Sequence, residues 1–130
     1  MALVVGALIV NSGRILAAQR AYPPEFAGQW ELPGGKVEPG EDPVTALQRE
    51  LQEELQADVV VSEEVVSPDG APWPILNGHR MRVWVCEARS EPQLGPDHLA
   101  LRWLEPAEAF TVPWLAPDIP IIEEYFAGRS

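Results

Sequence analysis

The segment that most constrains this chain runs from residue 43 to residue 55. Asp42 offers a side-chain oxygen to the free N–H groups of a first turn, and Pro43 suits the first helical position. Leu47, Leu51 and Leu55 then recur every four residues, with Val44 on the same side. That spacing predicts an amphipathic helix with one apolar stripe, which has to be laid against something. The flanking sequence supplies strands. Ala2 to Val10 is apolar and β-branched, and Asn11-Ser12-Gly13 is a turn signal leading into a second strand, Arg14 to Arg20. Trp30 to Leu32, Asp58 to Val66, Met81 to Cys86 and Leu99 to Leu104 read as further extended pieces. Pro106 to Phe110 reads as a helical turn and Asp118 to Phe126 as a closing helix. The prediction is an α/β (α+β) layered domain of about five strands with one strong helix in the middle and another at the end, spanning residues 1–130 without a dividing linker.

The other flank of the central helix is acidic. On a wheel of about 100° per residue with Glu50 at zero, Glu54 falls near 40° and Glu53 near −60°, beside the leucines. Glu50 and Glu54 repel one another at that spacing, by roughly 0.2–0.5 kcal/mol in an isolated helix. Residues 38 to 64 carry nine Asp or Glu against one base, Arg49. A solvated acidic surface is the ordinary meaning of such a run. A divalent cation is the other, because Mg²⁺ takes carboxylates and phosphate oxygens. Just before the helix, Gly34-Gly35 allows close approach of backbone to a ligand, and Lys36 can meet a phosphate as a point charge.

The formal net charge of −11 argues against a nucleic-acid polymer as partner. No apolar stretch is as long as a membrane span. The lone cysteine, Cys86, excludes an internal disulfide framework or a cysteine metal site and is expected as a buried thiol of a cytoplasmic protein.

Residues 35 to 57 place Gly35, Glu41, Arg49, Glu50, Leu51, Glu53 and Glu54 at the spacings of the Nudix box, which this stretch resembles. Gln56 departs from the pattern where the family has glycine, and Ala57 is smaller than the usual aliphatic residue. The resemblance implies the Nudix fold, a mixed sheet sandwiched between helices. It also implies hydrolysis of a pyrophosphate bond with Mg²⁺, for which Mn²⁺ is a substitute. In that picture Glu50, Glu53, Glu54 and the Gly34 carbonyl hold metal, while Arg49 and Glu41 pair and orient the carboxylates. Two residues compete as general base: Glu53, and Asp97 in the turn Gly95-Pro96-Asp97-His98. The departure at Gln56 falls where a left-handed residue is expected past the helix end, and bears on local stability.

Ala17-Ala18-Gln19-Arg20, Gly28-Gln29-Trp30-Glu31-Leu32-Pro33 and Leu115-Ala116-Pro117-Asp118-Ile119-Pro120 look like the MutT-type branch, which acts on nucleoside triphosphates. Asp118 is either a base-reading carboxylate or the N-cap of the last helix. As a base reader it favours CTP or dCTP, with 8-oxo-dGTP beside them. Tyr22, Phe26 and Trp30 are offered as surfaces for a base to stack on. Arg20 and Lys36 are expected to meet phosphate or base, and His98 to be a solvated loop histidine. Hydrolysis of dinucleoside polyphosphates or nucleotide sugars, and a module that binds nucleotide without cleaving it, are the alternatives. Monomer and homodimer are both open.

Overall fold

A computed structural model describes residues 2–129, so the two ends of the predicted 1–130 domain lie outside the described residues. The organising strand is β1, Leu3–Asn11. Successive side chains of a strand point to opposite faces. Val5, Ala7 and Ile9 therefore enter one apolar layer, while Leu8, with Val4 and Val10 packed against it, enters the other. Both faces of the sheet must be covered, and each is. The first layer lies under α1 (Pro43–Leu55), whose Ala46, Leu47, Leu51 and Leu55 are fully buried there. Each of those leucines contributes about 1.5–3 kcal/mol by leaving water. The second lies under α2 (Ile119–Ala127), through Ile121, Ile122 and Tyr125.

One side of β1 is paired in parallel along its length by β7 (Arg80–Ala88), from Leu3↔Arg80 to Ile9↔Cys86. Beyond β7 lies antiparallel β5 (Val59–Val65), and the two-residue β6 (Trp73–Pro74) also pairs with β7. The opposite side of β1 is shared by two strands. Its first half takes β4 (Gly34–Lys36), and its end takes β2 (Arg14–Arg20) through the predicted hairpin. Then β2 pairs with β3 (Trp30–Glu31) and with β8 (His98–Leu104). The chain from Glu31 to Gly34 thus leaves β2 and joins β1, and the sheet is split where it crosses.

The Gly34-Gly35-Lys36 stretch is the strand β4. A Cβ at Gly34 would collide with the carbonyl oxygen of Val5, so the pairing requires glycine. The first helix has its predicted bounds. The Asp42 side chain accepts from the Val44 and Thr45 N–H groups, and Gln56 holds the predicted left-handed position with φ 51°. The Gln56 N–H then reaches the Gln52 carbonyl and the Ala57 N–H that of Leu51, closing the helix end. Cys86 is buried, as expected, and burial pushes its thiol up to about 12. No helix among the described residues is long and apolar enough to cross a membrane.

Candidate active site

Arg49 ties α1 to the segments before it. Its guanidinium meets both oxygens of Glu41, with Nε–Oε2 2.8 Å and Nη2–Oε1 2.9 Å. It also donates to Glu50 Oε1 at 2.8 Å and to the Lys36 carbonyl at 3.2 Å. This bidentate pair fixes the loop before α1 against the helix, and it holds the Glu41 carboxyl down at about 2. Glu53 is exposed and only grazes Arg49 at 3.4 Å. The predicted pairing of Arg49 with Glu41 is present, and Arg49 reaches Glu50 as well.

Glu50 and Glu54 face inward. Burial raises Glu50, partly offset by Arg49. Its carboxylate lies against Gly35, where any side chain would collide with it, so the box glycine makes room for this acid. Glu54 is pushed further, to about 8, first by burial and then by the charges of Glu50, Glu31 and Asp97; a backbone hydrogen bond from Gly34 only partly opposes this. Its Oε2 is buried and has no hydrogen-bond partner among the described residues. An orphaned oxygen among three acids is a costly arrangement for a neutral protein interior. A cation that prefers oxygen would relieve it, and the donor set fits a divalent ion of that kind. Among the described residues no three acidic, histidine or cysteine side chains already converge on one point. Glu50 is instead engaged by Arg49.

The split in the sheet opens into a cleft of about 410 Å³. The segment from Glu31 to Lys36 runs along it. At Leu32 the backbone N–H donates to Asp118 Oδ2 at 3.0 Å. Asp118 is 5% exposed, and burial, with the nearby charge of Glu31, pushes it up to about 7. The N-cap alternative for Asp118 does not hold. It is itself helical, closes a short 3₁₀ turn (Ala116–Asp118) and makes no cap bond to α2, while its Oδ2 is committed to Leu32. Two residues on, Gly34 lies against Glu54, so one strip of backbone serves both buried acids.

Arg20 lines the cleft and is not merely solvated, since its Nη1 lies 2.6 Å from Glu31 Oε1. His98 is not a solvated loop residue either. It opens β8, its side chain is 1% exposed, and its Nε2 lies 2.9 Å from Glu31 Oε2. Tyr22 stands half exposed at the rim and donates its hydroxyl to Asp97 Oδ1 at 2.6 Å, which pushes the phenol up. Phe26 and Lys36 also line the cleft, and Lys36 is the only lysine in the chain. Trp30 does not line it. Its ring is part of the α2-side core, paired through β3, so it offers no stacking surface to the cleft. Leu51 is core, and Arg49, Glu41, Glu50 and Glu53 lie alongside the cleft without lining it.

Sequence reasoning missed Glu31, which bonds both Arg20 and His98 and raises both buried acids. It also missed one wall, formed by Ile75, Leu76, Asn77 and His79 from the turn between β6 and β7. The left-handed Asn77 beside Gly78 was the available signal for a tight turn, although nothing local aims it at the cleft.

Comparison with known proteins places these features in context. Residues 1–125 match the model of the NUDIX domain. The CTP pyrophosphohydrolase of Escherichia coli is 38% identical over 129 residues, covering 98% of this chain and 93% of that one. A Mycobacterium tuberculosis protein provisionally named 8-oxo-dGTP diphosphatase 2 is 41% identical over 122 residues, covering 89% and 82%. Among solved structures, the ORF135 protein of E. coli superposes with a TM-score of 0.81 at 38% identity, over 100% of this chain and 91% of that one.

Proposed function

The chain belongs to the Nudix family of hydrolases, and from that premise we propose that it converts a nucleoside triphosphate and water into the monophosphate and diphosphate, with CTP, dCTP or 8-oxo-dGTP as substrate. One observation carries this reading: a single cleft holds a buried, hydrogen-bonding acid, Asp118, and a half-buried acid, Glu54, with one orphaned oxygen among the described residues, on one strip of backbone. The first suits the polar edge of a base. The second suits the cation that accompanies phosphates. A triphosphate alone would be repelled by Glu31 and Asp97, and by Glu54 and Asp118 whenever these are ionised, while among the described residues Arg20 and Lys36 are the basic side chains of opposite sign in the cleft lining.

In this reading Glu50, Glu53, Glu54 and the Gly34 carbonyl hold Mg²⁺, with Mn²⁺ as substitute. When bound, the ion neutralises charge on the phosphate oxygens and lowers the pKa of water. Arg49 and Glu41 keep the carboxylates of α1 in register. Lys36 meets the phosphates. Glu53 or Asp97 takes the proton of the attacking water as its oxygen bonds to phosphorus and the bridging oxygen between the α and β phosphates departs. Asp118 accepts from the exocyclic amine of the base. The same chemistry applied to oxidised or damaged precursors clears a nucleotide pool.

A diphosphate-release assay across CTP, dCTP, dGTP, 8-oxo-dGTP, ATP, ADP-ribose and a dinucleoside polyphosphate, with Mg²⁺ and then EDTA, tests it. A cytosine or 8-oxoguanine preference abolished by EDTA is expected. Faster turnover of ADP-ribose or the dinucleoside compound than of every triphosphate would move the protein to another substrate class of the family.

A further inference from the structure

We propose that Tyr22 is a positioning residue, a strap whose hydroxyl holds the Asp97 carboxylate in place across the mouth of the cleft. The tie is direct. The Tyr22 hydroxyl donates to Asp97 Oδ1 at 2.6 Å, and among the described residues no other side chain bonds Asp97. Tyr22 is itself held. Arg20 Nε donates to the Tyr22 carbonyl at 3.1 Å, while Arg20 Nη1 engages Glu31, and Glu31 engages His98, the residue next to Asp97. The five residues close a ring that joins the end of β2, β3 and the start of β8.

The loop that carries Asp97 is anchored on its other side to the metal-binding helix. The Gln93 N–H donates to the Leu55 carbonyl at 2.7 Å, and Gly95 is pressed against the carbonyl of Glu54. Asp97 therefore lies in a short turn between these contacts on α1 and the start of β8, and its carboxylate is the point at which Tyr22 holds that turn. The charge of Asp97 is among those felt by Glu54. Core packing does not account for Tyr22, because the residue is 53% exposed. An unstrapped surface aspartate samples several rotamers, and ordering it beforehand removes that entropy from the reaction. The kinetic consequence rests on the function proposed above with Asp97, rather than Glu53, taking the proton of the attacking water; the strap itself does not, and it is read by the exchange measurement.

The experiment uses the full chain with Tyr22→Phe, Tyr22→Leu, Asp97→Asn and the Tyr22→Phe/Asp97→Asn pair. Steady-state kinetics use the fastest triphosphate of the panel, and hydrogen exchange is followed without nucleotide. Tyr22→Phe is expected to lower kcat about tenfold with KM nearly unchanged, the scale of one lost hydrogen bond to a charged group. Tyr22→Leu should match it, and the double variant should be no slower than Asp97→Asn. Exchange at residues 93 to 98 should quicken in Tyr22→Phe by about tenfold while α1 is unchanged. A Tyr22→Phe protein equal to wild type in kcat or in exchange overturns the proposal. So does a raised KM confined to Tyr22→Leu, which would assign the ring to stacking on the base. If wild type releases no diphosphate from any triphosphate, the functional reading fails, and the exchange measurement alone still decides the strap.

Discussion

Glu54 and Asp118 are both buried carboxyls in one cleft, both raised by burial, yet their surroundings differ. Asp118 has a donor, the Leu32 N–H, and only one acid, Glu31, acting against it. Glu54 has an oxygen without a partner, and Glu50, Glu31 and Asp97 all oppose its charge. The first is an arrangement the protein satisfies for itself, with one oxygen committed and the other free for a ligand. The second is left incomplete, so that stability and binding are in conflict there. The α1 region therefore gathers acids that oppose one another, and the α2 region holds an acid that a backbone donor satisfies.

The contrast is broken most severely at the acidic helix. Glu53→Gln is expected to reduce kcat by about 10²–10⁴-fold if Glu53 is the base, and turnover within a factor of a few of wild type would move that role to Asp97. The other region is probed by Asp118→Asn, which should lower kcat/KM for the preferred base by about 10–100-fold while leaving metal dependence unaltered. The same variant has a pH signature. A carboxyl raised when folded binds protons more tightly in the native state, so its burial costs stability increasingly as pH rises from the unfolded value towards about 7. Asp118→Asn should thus melt above wild type at about pH 8, with the gap closing by about pH 4; equal melting curves at both would show that Asp118 is not a buried charge.

A smaller effect separates the two regions without mutation. Millimolar Mg²⁺ in place of EDTA should raise the melting temperature by about 5–10 °C, by binding the native state alone. The rise should persist in Asp118→Asn and shrink in Glu54→Gln. A shift that survives Glu54→Gln would place the cation elsewhere. Last, Gln56→Gly should stabilise the fold by about 1 kcal/mol in urea unfolding, by removing a side chain from a left-handed position at the end of α1, with activity unchanged.

The α1 region was the legible one. Its cap, leucine stripe and carboxylates are spaced within one helix, so periodicity and a short motif report them together. Gln56 was equally local, and its left-handed backbone follows from where the helix must stop. The cleft was not legible in the same way. Glu31 meets partners eleven residues before it and sixty-seven after it, and a lone acid in a short strand carries no signal of either. The three residues of β4 are too few to show alternation, and the requirement for glycine comes from Val5 on another strand. An aromatic residue near the motif, Trp30, can either stack on a base or join the core, and the pairing of β3 turns its ring into the core. The sequence leaves Asp118 between a base reader and a cap because it stands before a helix, and the structure commits one of its oxygens to a donor far along the chain, the Leu32 N–H.

Lys36 has a consequence for handling the protein. With no other lysine in the chain, primary-amine chemistry has a single side-chain target, and that target lines the cleft. A reagent normally regarded as an indiscriminate surface label, such as an active ester or an aldehyde with reductant, becomes a reporter of cleft occupancy. Mass spectrometry of the labelled chain, with and without nucleotide, would follow ligand binding through one acylated position. By the same token, attachment to an amine-reactive support would tether the protein by its cleft or its amino terminus.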